Sequence, residues 1–175
     1  MRINTLVLLL LVIGCTKNDA RRPIHPKPST TIFSETLDEA RKLRLLEDKS
    51  IQNFIDSELT RNYMQSESGF WYSYDTKLES DYRTPQPGDT IRFSYNLKTL
   101  KDSLLYGKAE LGIVDYIVDK QDQITGIQRG VKLMKEGETM TFIFPSYTAY
   151  GSTGDGKKIG IYQSLKSTIT LLNIK

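Results

Sequence analysis

The chain holds a single cysteine, Cys15, and a single histidine, His25, among 175 residues. A Ser/His/Asp triad or a Cys/His pair needs an imidazole inside the folded pocket, and a zinc centre needs several His or Cys ligands together. Neither set can be assembled from this inventory. What is abundant is aromatic: ten tyrosines, six phenylalanines and one tryptophan. Any chemistry must therefore be carried by phenolic hydroxyls, carboxylates, main-chain groups or the shape of an apolar pocket.

Two spacings invite a ligand reading and fail it. Gly151-Ser152-Thr153-Gly154-Asp155-Gly156-Lys157-Lys158 is a near miss to a phosphate-binding loop. The last position must offer a hydroxyl to magnesium and is Lys158, and Ile159-Gly160-Ile161-Tyr162 heads toward a strand where the loop requires a helix. Asp115, Asp119 and Asp122 lack the spacing, the glycine and the glutamate of a calcium loop and read as solvated loop and strand-edge charges. No metal and no cofactor is expected. A formal charge of +3 and a pI near 8.8 suggest nucleic acid until the charges are placed. Setting aside Arg2, Lys17, Asp19, Arg21, Arg22 and Lys27 leaves 19 basic against 20 acidic side chains. The rest of the chain is near neutral, and no nucleic-acid partner is expected.

Those charges belong to an amino-terminal region of its own character. Arg2 precedes an unbroken apolar run from Leu6 to Ile13, too short to cross ~30 Å of hydrocarbon as a helix and patterned like a secretory signal. Val12-Ile13-Gly14-Cys15 resembles the bacterial lipobox, which implies cleavage after residue 14 and lipidation of Cys15 rather than an ordinary signal with a chance cysteine. Thr16 in place of an aspartate after the cysteine implies the outer membrane. Residues 15–34 are basic and carry Pro23, Pro26 and Pro28, half the prolines of the chain. They read as a semi-extended tether reaching ~50 Å at ~3.1 Å per residue. Contact with lipid head groups and plain solvation are both open for its basic residues.

Capping residues and apolar periodicity mark the elements that would position a site. Thr36-Leu37-Asp38-Glu39 fits a capping box. Leu37, Ala40 and Leu43, then Ile51, Phe54, Ile55 and Leu59, recur at helical spacing, with Asp48-Lys49-Ser50 breaking the phase. One bent helix or two short ones are predicted over 37–61, within a helical segment of residues 35–63. It could be a spacer, a dimer arm or an element packed on the main domain. Beyond residue 68 the apolar period changes to two, predicting strands Phe70–Tyr74, Thr90–Thr99, Leu111–Val118, Thr139–Phe144 and Leu165–Ile174. Ile124, Ile127, Val131 and Met134 predict one helix between them. The fold class is α+β, a sheet of antiparallel strands around one short helix.

The most specific stretch is Ile124-Thr125-Gly126-Ile127-Gln128-Arg129-Gly130-Val131-Lys132-Leu133-Met134-Lys135-Glu136-Gly137-Glu138, followed by Phe144-Pro145-Ser146-Tyr147-Thr148-Ala149-Tyr150-Gly151. It resembles the FKBP-type peptidyl-prolyl isomerases, which run through a Gly-x-x-x-Gly helix to Met-x-x-Gly-Glu, a strand and Ala-Tyr-Gly. Pro87-Gly88-Asp89-Thr90-Ile91-Arg92-Phe93-Ser94-Tyr95 matches the family's preceding strand. The resemblance covers residues 64–175. The lipobox, Gly69-Phe70-Trp71-Tyr72 and Thr170-Leu171-Leu172 look most like the gliding-motility-associated isomerase lipoproteins of that family.

This resemblance implies an enzyme that turns the X–Pro peptide bond, whose barrier of ~18–20 kcal/mol reflects lost amide resonance. A water-poor apolar pocket with a few directed hydrogen bonds can lower it without a nucleophile or metal. Carried across position by position, the family's pocket gives Tyr95 on a wall, Ile124 as a backbone donor, Ile127 at the floor, Tyr150 as the hydroxyl beside the substrate carbonyl and Ile159 as a further wall. Leu105, Tyr106 and Ser167 complete the binding surface. Tyr95 and Tyr150 can also be read as strand and loop aromatics filling core, but Tyr150 stands at a loop opening, which favours function. Ile124 and Ile127 can be read as plain helix-face core, and for Ile127 a pocket floor and a core position coincide.

The departures matter as much. Leu105-Tyr106 stand where the family has Phe-Asp, so the expected pocket carboxylate is missing. Ile127 replaces a common Trp, Ser167 a Phe, and Ile159-Gly160-Ile161 the usual Ile-Pro-Pro. A wider pocket buries proline with less gain, so turnover is expected to be weak and the family's macrolide inhibitors to bind poorly. The resemblance thus implies an isomerase acting on proline-containing polypeptides of the cell envelope, held at the outer membrane through Cys15, facing the periplasm and linked to gliding motility. The alternative is a binding or assembly module of an envelope machine with little turnover.

Overall fold

The computed structural model describes residues 30–79 and 81–175, with side chains from Thr36 onward. The expected signal (1–14), Cys15 and the tether as far as residue 29 lie outside the described residues. The chain divides into Met1–Leu37 and Asp38–Lys175. The second unit holds the whole sheet and most of the helix that leads into it.

That helix, α1, runs Thr30–Ser57 without interruption. The capping-box start at Thr36 and the break at 48–50 are therefore corrected. The docking stripe is Glu47, Ile51 and Phe54, at intervals of four and three, with Ile51 fully buried. A carboxylate occupies one position of an otherwise apolar stripe, and that is why the apolar periodicity looks broken in the sequence. Leu37, Leu43 and Leu59, which carry part of the pattern, remain exposed. Among the described residues no helix is long and apolar enough to cross a membrane.

The strands are β1 (Met64–Gln65), β2 (Trp71–Thr76), β3 (Thr90–Tyr95), β4 (Leu97–Lys98), β5 (Leu104–Tyr106), β6 (Ile113–Ile117), β7 (Thr139–Phe144) and β8 (Leu165–Ile174). They form one antiparallel sheet in the order β1-β2-β7-β8-β3-β6, with β4 paired to both β8 and β5. Strand β7 is buried along almost its whole length, as expected for an inner strand covered on both faces. The predicted strand 90–99 is two strands, because Asn96 interrupts the ladder and its side-chain oxygen accepts the Thr168 amide at 2.9 Å. The predicted 111–118 strand begins only at Ile113, after a short helix α2 (Lys108–Leu111).

The helix predicted from Ile124 to Met134 is an α-helix, α3 (Thr125–Gly130), tightening into a 3-10 turn, Val131–Leu133. Its glycine spacing has a packing reason. Gly126 and Gly130 lie on one helical face against β7. A Cβ at Gly126 would run into the Phe144 ring, and one at Gly130 would stand 3.0 Å from the Phe142 ring. Those two rings are stacked at 5.4 Å between centroids, with Phe70 edge-on to both. Helix α3 thus rides directly on an aromatic layer, which drives Ile127 and Val131 into the core. The α+β architecture stands as read from the sequence.

Candidate functional site

The residues expected to form a pocket come from distant elements. Tyr95 closes β3, Leu105 and Tyr106 end β5, Ile124 and Ile127 open α3, and Tyr150 and Ile159 lie in the long β7–β8 loop. The structure gathers them around one apolar cluster. Tyr95, Ile127 and Ile159 are buried within it, and Leu105, Tyr106, Ile124 and Tyr150 pack partly buried against it. Ser167 is fully buried in β8, with its hydroxyl donating to the Asn96 carbonyl at 2.8 Å. That hydroxyl is engaged with the main chain.

Tyr150 is presented by a tight turn. After Pro145, residues Ser146–Thr148 make a 3-10 turn, and the Ser146 carbonyl accepts both the Ala149 amide at 2.9 Å and the Gly151 amide at 2.8 Å. Gly151 takes a left-handed φ of 61° that a residue with a side chain would resist. The Tyr150 carbonyl in turn accepts the Gly154 amide at 3.2 Å. Burial pushes the Tyr150 phenol above its ordinary pKa, with Tyr95 and Asp155 adding to the shift. Tyr95 is also pushed up by burial, partly offset by a hydrogen bond with Gln123. Both phenols therefore stay neutral hydrogen-bond donors across the ordinary pH range.

Asp155 is a site residue that the sequence does not announce. The pocket is expected to lack a carboxylate, because Tyr106 stands where the family places an aspartate. The loop supplies one from the opposite side: the Tyr106 hydroxyl donates to Asp155 Oδ2. Asp155 Oδ1 accepts the amides of Lys157 and Ile159, each at 2.8 Å. Desolvation would raise the Asp155 pKa, but the Tyr106 hydroxyl and the loop amides outweigh it and hold it at about 2. The same bond, chiefly, pushes Tyr106 up to about 12. Lys158 Nζ lies 4.5 Å from the centre of the Tyr106 ring and bonds Glu110 at 2.7 Å. The available signal is Gly154-Asp155-Gly156, an aspartate between two glycines that both adopt positive φ.

Gln123 is a second such residue. Its side-chain oxygen accepts the Ile124 amide at 2.9 Å, so the donor expected to meet a substrate carbonyl is held by a neighbouring carboxamide. Its own carbonyl is fixed by Gln128 Nε2 at 2.8 Å. The rejected ligand motifs have ordinary roles. Asp115 pairs with Arg92 at 2.9 Å and Asp119 with Lys132 at 2.6 Å. Residues 151–164 form turns and bends, with no helix behind them. Chemically, the arrangement is an apolar floor bordered by neutral phenols and one firmly ionised carboxylate. It suits receiving a ring and directing a hydrogen bond at a carbonyl.

Comparison with known proteins bears on the family and the fold. A family model described as FKBP-type peptidyl-prolyl cis-trans isomerase matches residues 81–172. Peptidyl-prolyl cis-trans isomerase FKBP9 of Homo sapiens and that of Rattus norvegicus are each 33% identical to this chain over 94 residues, 53% of the chain. The match spans only 16% of those relatives' own length. Among solved structures, FkpA from Escherichia coli aligns with a TM-score of 0.62 at 18% identity, covering 81% of this chain and 63% of that one. A peptidyl-prolyl cis-trans isomerase from Pseudomonas syringae pv. tomato aligns with a TM-score of 0.60 at 17% identity, covering 74% and 94%. At such identities the structural likeness speaks for the fold.

Proposed function

The chain belongs to the FKBP-type peptidyl-prolyl cis-trans isomerase family, and we propose that it accelerates rotation about X–Pro bonds of envelope polypeptides. The observation that carries this reading is the convergence of Tyr95, Tyr150, Ile127 and Ile159 on one apolar cluster. A proline ring entering there leaves water, and its planar amide loses the hydration that favours it over the twisted form. The neutral Tyr150 phenol can donate to the carbonyl as resonance is lost, an interaction stronger in the twisted state than in the ground state.

The finer reading places the enzyme at the outer membrane, facing the periplasm, through lipid on Cys15 and a tether of residues 15–34, with clients in gliding motility. It is supported by the apolar run, the lipobox-like Val12-Ile13-Gly14-Cys15 and the proline-punctuated segment behind it. A second reading, a binding or assembly module with little turnover, draws support from the engaged Ile124 amide. A protease-coupled proline-peptide assay on the chain from Thr16 separates the two. Acceleration over the uncatalysed rate at micromolar protein is expected, and its absence leaves the binding module. Labelling of the full chain with a fatty-acid probe, lost in Cys15→Ala, is the expected sign of the anchor.

A further inference from the structure

Helix α1 reaches both ends of the loop that presents Tyr150 through one side chain. Glu47 Oε1 accepts the Ser146 amide at 2.6 Å and the Ser164 hydroxyl at 2.6 Å, and Glu47 Oε2 accepts the Ser146 hydroxyl at 2.8 Å. Ser146 is the second residue of the loop, after Pro145, and Ser164 is its last before β8. A single carboxylate therefore ties both ends of a loop whose members are separated from it by 99 and 117 residues. Ser146 is buried, and its carbonyl closes the turn around Tyr150. Withdrawing Glu47 would strand a buried amide and two hydroxyls at the root of that turn.

The helix itself is firmly seated on either side of Glu47. One turn before it, the Arg44 guanidinium lies 4.5 Å over the Tyr147 ring, whose hydroxyl donates to the Gly69 carbonyl at 2.8 Å. Beyond it, Ile51 is fully buried, and Lys166 Nζ stands 5.2 Å over the Phe54 ring and 3.7 Å from Glu58. Lys166, itself almost wholly buried, also bonds Asp102 at 3.0 Å. A carboxylate on a helix held at these points is a fixed acceptor, not a fluctuating surface charge.

We propose that Glu47 is a positioning residue for the proline site, holding the Ser146–Ser164 loop so that Tyr150 meets the substrate in one orientation. The segment before the isomerase fold is then a brace for the active loop. This rests on the isomerase reading above, and the test keeps the two apart. Hydrogen exchange and peptide turnover are measured on the chain from Thr16 as wild type, Glu47→Ala, Glu47→Gln and Ser164→Ala, with Lys42→Ala on the exposed helix face as control. In Glu47→Ala, amides of residues 146–163 are expected to exchange about tenfold faster while β3 and β7 keep their protection.

Misplacing Tyr150 is expected to lower kcat about tenfold with KM changed little. Glu47→Gln, which keeps one acceptor oxygen, should recover part of both losses, and Lys42→Ala should match wild type. Unchanged loop exchange in Glu47→Ala, or exchange rising equally in β3, β7 and the loop, overturns the proposal. So does unchanged kcat in an active enzyme whose loop has been loosened. Should Glu47→Ala not fold, Ser164→Ala, which removes one of the three bonds, must show the same local loosening at smaller size or the proposal fails. If wild type lacks turnover, the isomerase reading falls, and the exchange pattern alone decides whether Glu47 holds the loop.

Discussion

Ile127 and Tyr150 border the same apolar cluster, yet the segments that carry them are held by unlike forces. The floor is held by close packing: α3 rests on the Phe142–Phe144 stack with no room for a methyl at Gly126. The rim is a long loop held by hydrogen bonds converging on carboxylates, Glu47 at its two ends and Asp155 within it. Packing spreads its contribution over many weak contacts and is indifferent to pH, whereas a carboxylate concentrates it in a few bonds that one proton can remove. The floor therefore sets whether the domain folds, and the rim sets whether the site is shaped.

The contrast can be broken at several points. Ile127→Ala should have the largest effect, destabilising the domain by about 2–5 kcal/mol in urea unfolding, by the same amount at pH 5 and pH 8. A loss well under that range would mean the floor is not core. Tyr150→Phe should come next on the rim, cutting turnover by about one to two powers of ten while the urea midpoint stays close to wild type. An unchanged rate removes the phenol from the mechanism.

Asp155 gives a pH-dependent test. Its folded pKa of about 2 lies below the ordinary carboxylate value of 3.8. Its contribution is therefore fully present above pH 4 and is lost as pH falls toward 2. Urea midpoints of wild type and Asp155→Asn should converge over that window, and a constant gap would mean that the carboxylate's charge is irrelevant. Gln123→Ala should have the smallest effect. Freeing the Ile124 amide from its internal acceptor is expected to lower KM about two- to fivefold with stability unchanged, and a raised KM would make Gln123 a substrate contact instead.

How much can be read from the chain obeys the same division. Strands β7 and β8 are legible with their observed bounds, Thr139–Phe144 and Leu165–Ile174, because burial on the sheet imprints a local apolar pattern. Gly126 and Gly130 are legible as a motif, though their reason, the aromatic layer beneath them, is not. The rim escapes. Tyr106 and Asp155 are 49 residues apart and meet only because Gly154 and Gly156 take left-handed φ, which no periodicity encodes. Glu47 escapes because a carboxylate in a docking stripe looks like the end of a helix. Hydrophobic patterns report what is packed, and they are silent about which polar group will find which amide across a hundred residues.

Strand β8 carries a consequence for biosynthesis. It comes last in chain order yet lies inside the sheet, between β7 and β3. A nascent chain that has emerged only as far as the β7–β8 loop has no inner partner for either neighbour and no Ser164 for Glu47. Helix α1, which precedes the sheet in the chain, must wait for the last strand in sequence order, β8. The domain cannot mature stepwise from its amino end, and a nascent chain stalled before β8 would expose both flanking strands to proteases and to other unfinished chains.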